Sequence, residues 1–396
     1  APATPALNAT YATAFTQAFS TTGGVGPYTY AVSGTLPAGV SLSGATLSGT
    51  PTAPGSYSFT ITATDTGASG AGAPFTTSRA YTLEVAAPTL TLTPATLPAS
   101  TAGTVYTQAL SASGGVAPYS FALSAGTLPA GLTLTSSGTL SGTPTEAGTF
   151  NVSVTATDTY GQAVTGAYTL EVAQPTLTLA PGGGALPNAT AGAAFSQSLV
   201  VSGGIAPYTA TLSGALPTGI TFNPATLAFA GTPTESGTFT FDVTATDSTG
   251  GTPGTVTATY SLTVLVPTLS LSPETVQGAT AGVTYTQTFV ATGGVAPYQY
   301  TLSAGTLPAG LTLDTATGQL AGTPTQAGSF DFSVTATDST TGTAATTVRA
   351  YTLAVSAPVI VVDPDNLPTA LPSVEYTQAL SARGGTAPYT FTLDAG

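Results

Sequence analysis

Gly114-Gly-Val-Ala-Pro-Tyr119 occurs five times in this chain with small variations, beginning at Gly23, Gly114, Gly203, Gly293 and Gly384. The spacings are 91, 89, 90 and 91 residues. A hexapeptide returning at nearly constant distance marks tandem repeats, and this periodicity comes before any reading of single elements. The rest of the repeat is found outward from it. Six residues before each first Gly stands a Gln: Gln17, Gln108, Gln197, Gln287 and Gln378. After it come Leu-Pro-x-Gly at Leu36, Leu128, Leu216 and Leu307, then Gly-Thr-Pro-Thr at Gly49, Gly142, Gly231 and Gly322. A Thr-Ala-Thr-Asp follows, ending in Asp65, Asp158, Asp247 and Asp338, and each unit closes on Tyr-x-Leu-x-Val from Tyr81, Tyr168, Tyr260 and Tyr351.

These marks predict four nearly whole domains and part of a fifth: residues 1–86, 87–173, 174–265, 266–356 and 357–396. The first lacks the Pro-Thr-Leu-Thr-Leu stretch that opens the second at Pro88, and the fifth stops about halfway through its unit. Half a sandwich cannot bury its inner face. The expectation is a segment of a longer array; completion by a strand from a partner chain is the alternative.

Within a unit the pattern is that of strands. Tyr57-Ser-Phe-Thr-Ile-Thr-Ala and Phe150-Asn-Val-Ser-Val-Thr-Ala alternate large apolar with small polar residues, which buries one face and wets the other. Gly-Gly, Leu-Pro-x-Gly and Thr-Pro-Thr supply the corners. No stretch shows a helical apolar stripe. Roughly seven short strands in a ~90-residue unit predict an all-β chain of tandem immunoglobulin-like β-sandwiches. With no Cys and no Trp, their cores must rest on Tyr, Phe, Leu and Val.

The ordered set GG-x-x-PY, LP-x-GL-x-L, L-x-GTPT-x-x-G-x-F and V-x-A-x-D resembles the immunoglobulin-like repeat of bacterial cell-surface proteins, a relative of cadherin-like modules. The resemblance runs through all four repeats and into the fifth. It implies a secreted or cell-surface tandem β-sandwich protein, and no particular activity, since fold alone supplies none.

Composition narrows the chemistry. The chain has 396 residues, 3 Lys+Arg against 16 Asp+Glu, and no His, Cys or Met. Ser-His-Asp triads, Cys nucleophiles and the usual zinc and haem ligand sets are therefore excluded. The basic residues are Arg79, Arg349 and Arg383, so there is no Schiff-base or phosphate-loop lysine. A net charge of −13 excludes the cationic footprint of a nucleic-acid binder. No apolar run approaches the roughly 18 residues of a spanning helix. The expectation is a chain that is not an enzyme, has no cofactor and works outside the cell.

The four repeated Asp are where a cadherin-like relative would hold calcium, but calcium takes several carboxylates and the neighbours here are Thr and Ser. Each Asp is expected instead to accept turn N–H groups where its strand ends. The hexapeptide has neither a following helix nor a Lys, so it predicts a corner and a core Tyr, not a phosphate cradle. The repeated Gln are expected as buried amides bonded to a nearby loop. Asn8, Asn151 and Asn188 lie in N-x-S/T triplets, and Asp363 and Asp365 are a carboxylate pair confined to the incomplete unit. No catalytic, cofactor or metal site is expected.

The spans from Asp to Tyr, 16, 10, 13 and 13 residues in the four units, are rich in Ser, Thr, Gly and Ala and predict tolerated length variation. The links between units are constant: Val85 to Pro88, Val172 to Pro175, Val264 to Pro267 and Val355 to Pro358. Short links ending in Pro predict a stiff rod, with each sandwich roughly 35–40 Å long at the rise of a strand. The functional expectation is a structural protein: the shaft of an extracellular filament or adhesin, associating with copies of itself and offering Thr hydroxyls for O-linked sugar. The alternatives are a carbohydrate- or cell-wall-binding array and calcium-dependent adhesion.

Overall fold

Alternation along Gly328–Thr337 puts Phe332, Val334 and Ala336 inside, and Thr346–Ser356 likewise turns Tyr351, Leu353 and Val355 inward. The two pair antiparallel from Gly328↔Val355 to Thr337↔Thr346. Gln299–Gly305 extends this sheet on one edge, and Ala279–Thr280 extends it on the other in parallel. Facing it is a sheet of Tyr285–Thr288, Gln319–Gly322 and Leu311–Leu313. A third pairing joins Ser270–Ser272 to Val290–Thr292. The first two strands of the repeat are thus each divided, the second at fully buried Phe289, whose N–H leaves the ladder for the Gly318 carbonyl at 2.9 Å. Seven strands, two of them split between sheets, make the expected sandwich.

The computed structural model describes residues 5–385 and 387–394, and among these all regular structure is β-strand. The described residues include no helix long and apolar enough to cross a membrane. Two compact units emerge: Ala1–Thr176 with Gly204–Ala206 and Asp247–Gly254, and Leu177–Gly203 with Pro207–Thr246 and Thr255–Gly396. The first unit holds the sandwiches of repeats 1 and 2. Repeat 1 pairs Ala6–Thr10, Phe75–Ala86, Gly55–Asp65 and Tyr28–Gly34 in one sheet and Phe15–Ala18, Thr46–Gly49 and Val40–Ser43 in the other. The second unit holds the sandwich strands of repeats 3 and 4, apart from the short Gly250–Gly251, and the Val361–Asp363/Ser381–Arg383 pair of the fifth.

Aromatic rings do the work a disulfide and Trp would do elsewhere. In repeat 4 Tyr351 lies 4.8 Å from Phe289 and 5.7 Å from Phe332, centroid to centroid. Each such side chain removed from water stabilises the fold by about 1.5–3 kcal/mol. The buried Tyr hydroxyls are satisfied: Tyr168, Tyr260 and Tyr351 donate to the carbonyls of Pro94, Pro181 and Pro273 at 3.0, 2.8 and 2.9 Å.

The Leu-Pro-x-Gly and Gly-Thr-Pro-Thr motifs explain one another. Gly310 and Gly322 both have positive φ, and a Cβ on Gly322 would lie 2.0 Å from the Gly310 carbonyl oxygen. Two strands meet there with no room for a side chain. The outer edges of the larger sheets differ in kind between repeats. In repeats 2 and 4 the register slips between Leu123 and Ala125 and between Leu302 and Ala304, whereas Tyr28–Gly34 and Thr209–Gly214 pair without a slip. The cause is one inserted residue, visible as 14 residues from hexapeptide to Leu-Pro in repeats 2 and 4 against 13 in repeats 1 and 3.

Candidate functional site: the Asp clamp and the repeat junction

The four repeated Asp are the buried acids of the described chain, each 5–6% exposed. Each closes a strand and ties two loops together. Asp338 Oδ2 accepts the Val295 N–H of the hexapeptide at 3.0 Å, while Oδ1 accepts those of Thr340 and Ala345 at 3.2 and 2.7 Å. The Thr340 hydroxyl also donates to this carboxylate. Asp247 repeats the arrangement on Ile205, Thr249 and Gly254, at 3.0, 3.3 and 2.7 Å. Asp158 holds Val116, Tyr160 and Gln162, and Asp65 holds Val25, Gly26 and Gly67. The expected turn acceptor is therefore a clamp between the hexapeptide and the loop that follows Asp.

Electrostatics favour the anion. At Asp158, Asp247 and Asp338 burial alone would raise the carboxyl, yet the converging N–H and hydroxyl donors outweigh it and hold the group below the ordinary carboxylate range. At Asp65 the Val25 N–H is the leading cause of the same downward shift. Donors aimed at a carboxylate present their positive ends to it, which repels a cation. No three His, Cys, Asp or Glu come together among the described residues in a group that could hold a metal.

Two side chains sit differently from expectation. The hexapeptide Tyr is half-buried at the margin of the core, against which Tyr119 and Tyr298 pack, and its hydroxyl closes the corner. Tyr119 donates to Gly114 O at 2.5 Å and Tyr208 to Gly203 O at 2.7 Å, with Tyr28, Tyr298 and Tyr389 bonded to Gly23, Gly293 and Gly384 in the same way. An amphipathic ring suits a site with one wet side. The repeated Gln amides of the four whole repeats are also half-buried, and each Nε2 donates to the carbonyl of the very next residue, as from Gln108 to Ala109 at 2.8 Å. They brace their own strand instead of reaching a loop. Asn8, Asn151 and Asn188 are exposed. Asp363 pairs with Arg383 at 2.9 Å and Asp365 is exposed, so the structure gives these two carboxylates different surroundings.

The loops after Asp carry more than length variation. In the second compact unit, Ser236 N–H donates to Thr341 O at 2.9 Å, and Thr341 N–H to Thr234 O at 3.0 Å. Ser236 Oγ accepts the Thr343 N–H at 2.8 Å. Here the post-Asp loop of repeat 4 clasps the Pro-Thr-Glu-Ser edge of repeat 3 in a parallel bridge. In the first unit, Gly250–Gly251 pairs in parallel with Glu146–Ala147 of repeat 2, with Gly250 N–H on Thr145 O at 2.9 Å. The third hexapeptide residue acts as a plug. Ile205 packs against the core of repeat 2 and Val295 against that of repeat 3. Both approaches pass over a positive-φ Gly: a Cβ on Gly103 would come 3.2 Å from Ile205 Cγ1, and one on Gly192 would come 2.2 Å from Gly294 O. The same carboxylate clamps plug and clasp together, so the Asp organises the surface on which one repeat meets the repeat before it. The clasp left a trace in the sequence in the shared 13-residue span of repeats 3 and 4.

Residues 1–86, 88–173, 175–265 and 267–356 each match the family described as "Putative Ig domain". Among solved structures the chain is similar to the protocadherin GammaB4 extracellular domain, at 14% identity over 92% of this chain and 68% of that one, with a TM-score of 0.27. It is similar to Drosophila N-cadherin EC1-4 at 13% identity, over 89% and 98% of the two chains, with a TM-score of 0.24. An endo-fucoidan hydrolase from glycoside hydrolase family 107 aligns at 22% identity over 66% of this chain and 43% of its own, with a TM-score of 0.28. No curated protein matches the chain. Four consecutive matches, each carrying the same sandwich and the same Asp clamp, establish that the chain belongs to this Ig-domain family as a tandem array.

Proposed function

We propose that this chain is a structural part of an extracellular filament or adhesin shaft, in which each repeat bears load and passes it to the next. Tandem Ig-like repeats suit an extracellular structural or adhesive role. The observation that carries the reading is the backbone pairing of Ser236 with Thr341, because it couples one sandwich to the next through strand-type hydrogen bonds. A pull along the chain loads those bonds together with the covalent link. Composition supports the same role. A chain with 5% charged residues, no sulfur and isolated Arg offers little to oxidants or to trypsin-like proteases. Lateral association with copies of itself follows from the uncharged edge strands, and the Thr-rich faces are suited to O-linked sugars. Negative-stain imaging of the full chain tests the shaft reading: extended strings of beads are expected, and a compact globule overturns it.

A further inference from the structure

Three features of the contact between one repeat and the next recur where the post-Asp span is 13 residues, and all three change between repeats 1 and 2. First, the clasp needs an N–H at the position of Ser236, and repeat 1 has Pro54 there, which has none. Second, the span from Asp158 to Tyr168 is only 10 residues, and its loop closes on itself, with Asp158 N–H on Gln162 O at 2.9 Å and Gly161 N–H on Asp158 O at 3.1 Å. Third, where Gly103 and Gly192 admit the next repeat's hexapeptide, repeat 1 has Ala12, which carries a methyl at a φ of 57° where they carry none.

We infer that the Pro-Thr-x-x-Gly edge of a repeat is a docking surface for the 13-residue post-Asp loop of a following repeat, and that the junction between repeats 1 and 2, stripped of this contact, is a built-in joint. The linkers do not distinguish the junctions, since all have the same length and end in Pro. Stiffness is set by the clasp, and small interfaces between domains leave them free to move. The fourth repeat keeps the docking pattern, with Ala327 and its N–H at the position of Ser236, so it is fitted to receive a further repeat whose loop is long. Repeat 1 is not. This inference concerns articulation and stands whether or not the chain serves as a shaft.

The chain has no Cys, so paired spin labels can be placed on the full protein without background. Ser41 and Thr133 occupy equivalent exposed positions in repeats 1 and 2, as do Thr221 and Thr312 in repeats 3 and 4. With each pair replaced by Cys and labelled, the 41/133 distance distribution is expected to be at least about twice as broad as the 221/312 distribution. Equal widths overturn the inference. Adding Ser236→Pro to the 221/312 pair should broaden that distribution about twofold, because the substitution reproduces Pro54 and removes one clasp donor. The Pro-bearing edge of repeat 1 shows that the sandwich accommodates it. Ser236→Ala, which keeps the N–H, should leave most of the narrow distribution. A Ser236→Pro distribution as narrow as the parent shows that the clasp does not hold the junction, and overturns the inference from the other side.

Discussion

Asp338 Oδ2 accepts the N–H of Val295, 43 residues away in the chain, at 3.0 Å. That bond joins the residue that plugs repeat 3 to the loop that clasps it, and Asp247 does the same through Ile205. In repeats 3 and 4 one carboxylate therefore serves two ends. It terminates a strand within its own sandwich, and it fixes the geometry of the surface offered to the neighbour.

Replacing Asp338 by Ala should accordingly damage both. Several donors lose a charged acceptor in a buried place, and the expected loss is about 2 kcal/mol in the stability of repeat 4. Hydrogen exchange checks the mechanism. The amides of Val295, Thr340 and Ala345 should lose protection in the variant while those of Phe332 and Leu353 keep theirs. Unchanged protection at Val295 would show that the clamp is incidental.

The pH dependence has a definite sign. All four clamp carboxyls are held below their ordinary range in the folded chain. Groups with depressed folded values contribute stability that is present above the unfolded carboxyl value of about 3.9 and is lost as pH falls through the folded value. The thermal midpoint should thus stay flat from neutral pH down to about pH 5 and fall only below about pH 4. A decline that begins near pH 6 contradicts this account.

Metal should not matter to the fold. Each clamp Asp is filled by N–H donors, and a cation would have to displace them. Thermal unfolding with calcium and with EDTA is expected to give the same midpoint. A drop of about ten degrees or more on chelation, the mark of a ligand well above its dissociation constant, would establish a calcium site and with it the adhesion reading.

Much of this structure is legible in the amino-acid order because side chains report it. The alternation around Phe332 and Tyr351 gives the strands, and the spacing of Gly23, Gly114, Gly203 and Gly293 gives the repeats. The split of the second strand at Phe289 is not legible, because a run of alternating residues reads the same whether it stays in one sheet or crosses to another. The clasp is hidden for a different reason. Thr341 pairs with Thr234 and Ser236 through its main chain, and main-chain pairing leaves no apolar pattern in a Ser-, Thr- and Gly-rich loop. Beside the shared 13-residue span, its readable sign is negative and local, the Pro54 that stands where Ser236 donates. The extra residue of repeats 2 and 4 is equally visible as spacing, but only the register of the pairing, which passes over Ser124 and Ser303, turns it into a bulge.

Those bulges bear on the proposed association between copies of the chain. An edge strand with regular register, no Pro and no charge is a template for another strand, and proteins commonly guard such edges with Lys, Pro or a bulge. Thr209–Gly214 in repeat 3 and Tyr28–Gly34 in repeat 1 lie at sheet edges and have none of these guards. Ser120–Ala125 and Gln299–Gly305 are equally uncharged but bulged. Association should therefore proceed through repeats 1 and 3. Sedimentation of the unglycosylated full chain is expected to show larger species growing with concentration. Thr29→Lys with Thr211→Lys, both on exposed edge positions, should shift it to monomer, because a charge on each edge makes strand-to-strand approach costly. Ala122→Lys, on the bulged edge of repeat 2, should change it little. If the parent chain stays monomeric at high concentration, its bare edges are adequate alone and lateral assembly loses its physical motive. If Ala122→Lys dissolves the assemblies as well as the paired substitution does, the bulge is no guard and general charge is the controlling factor.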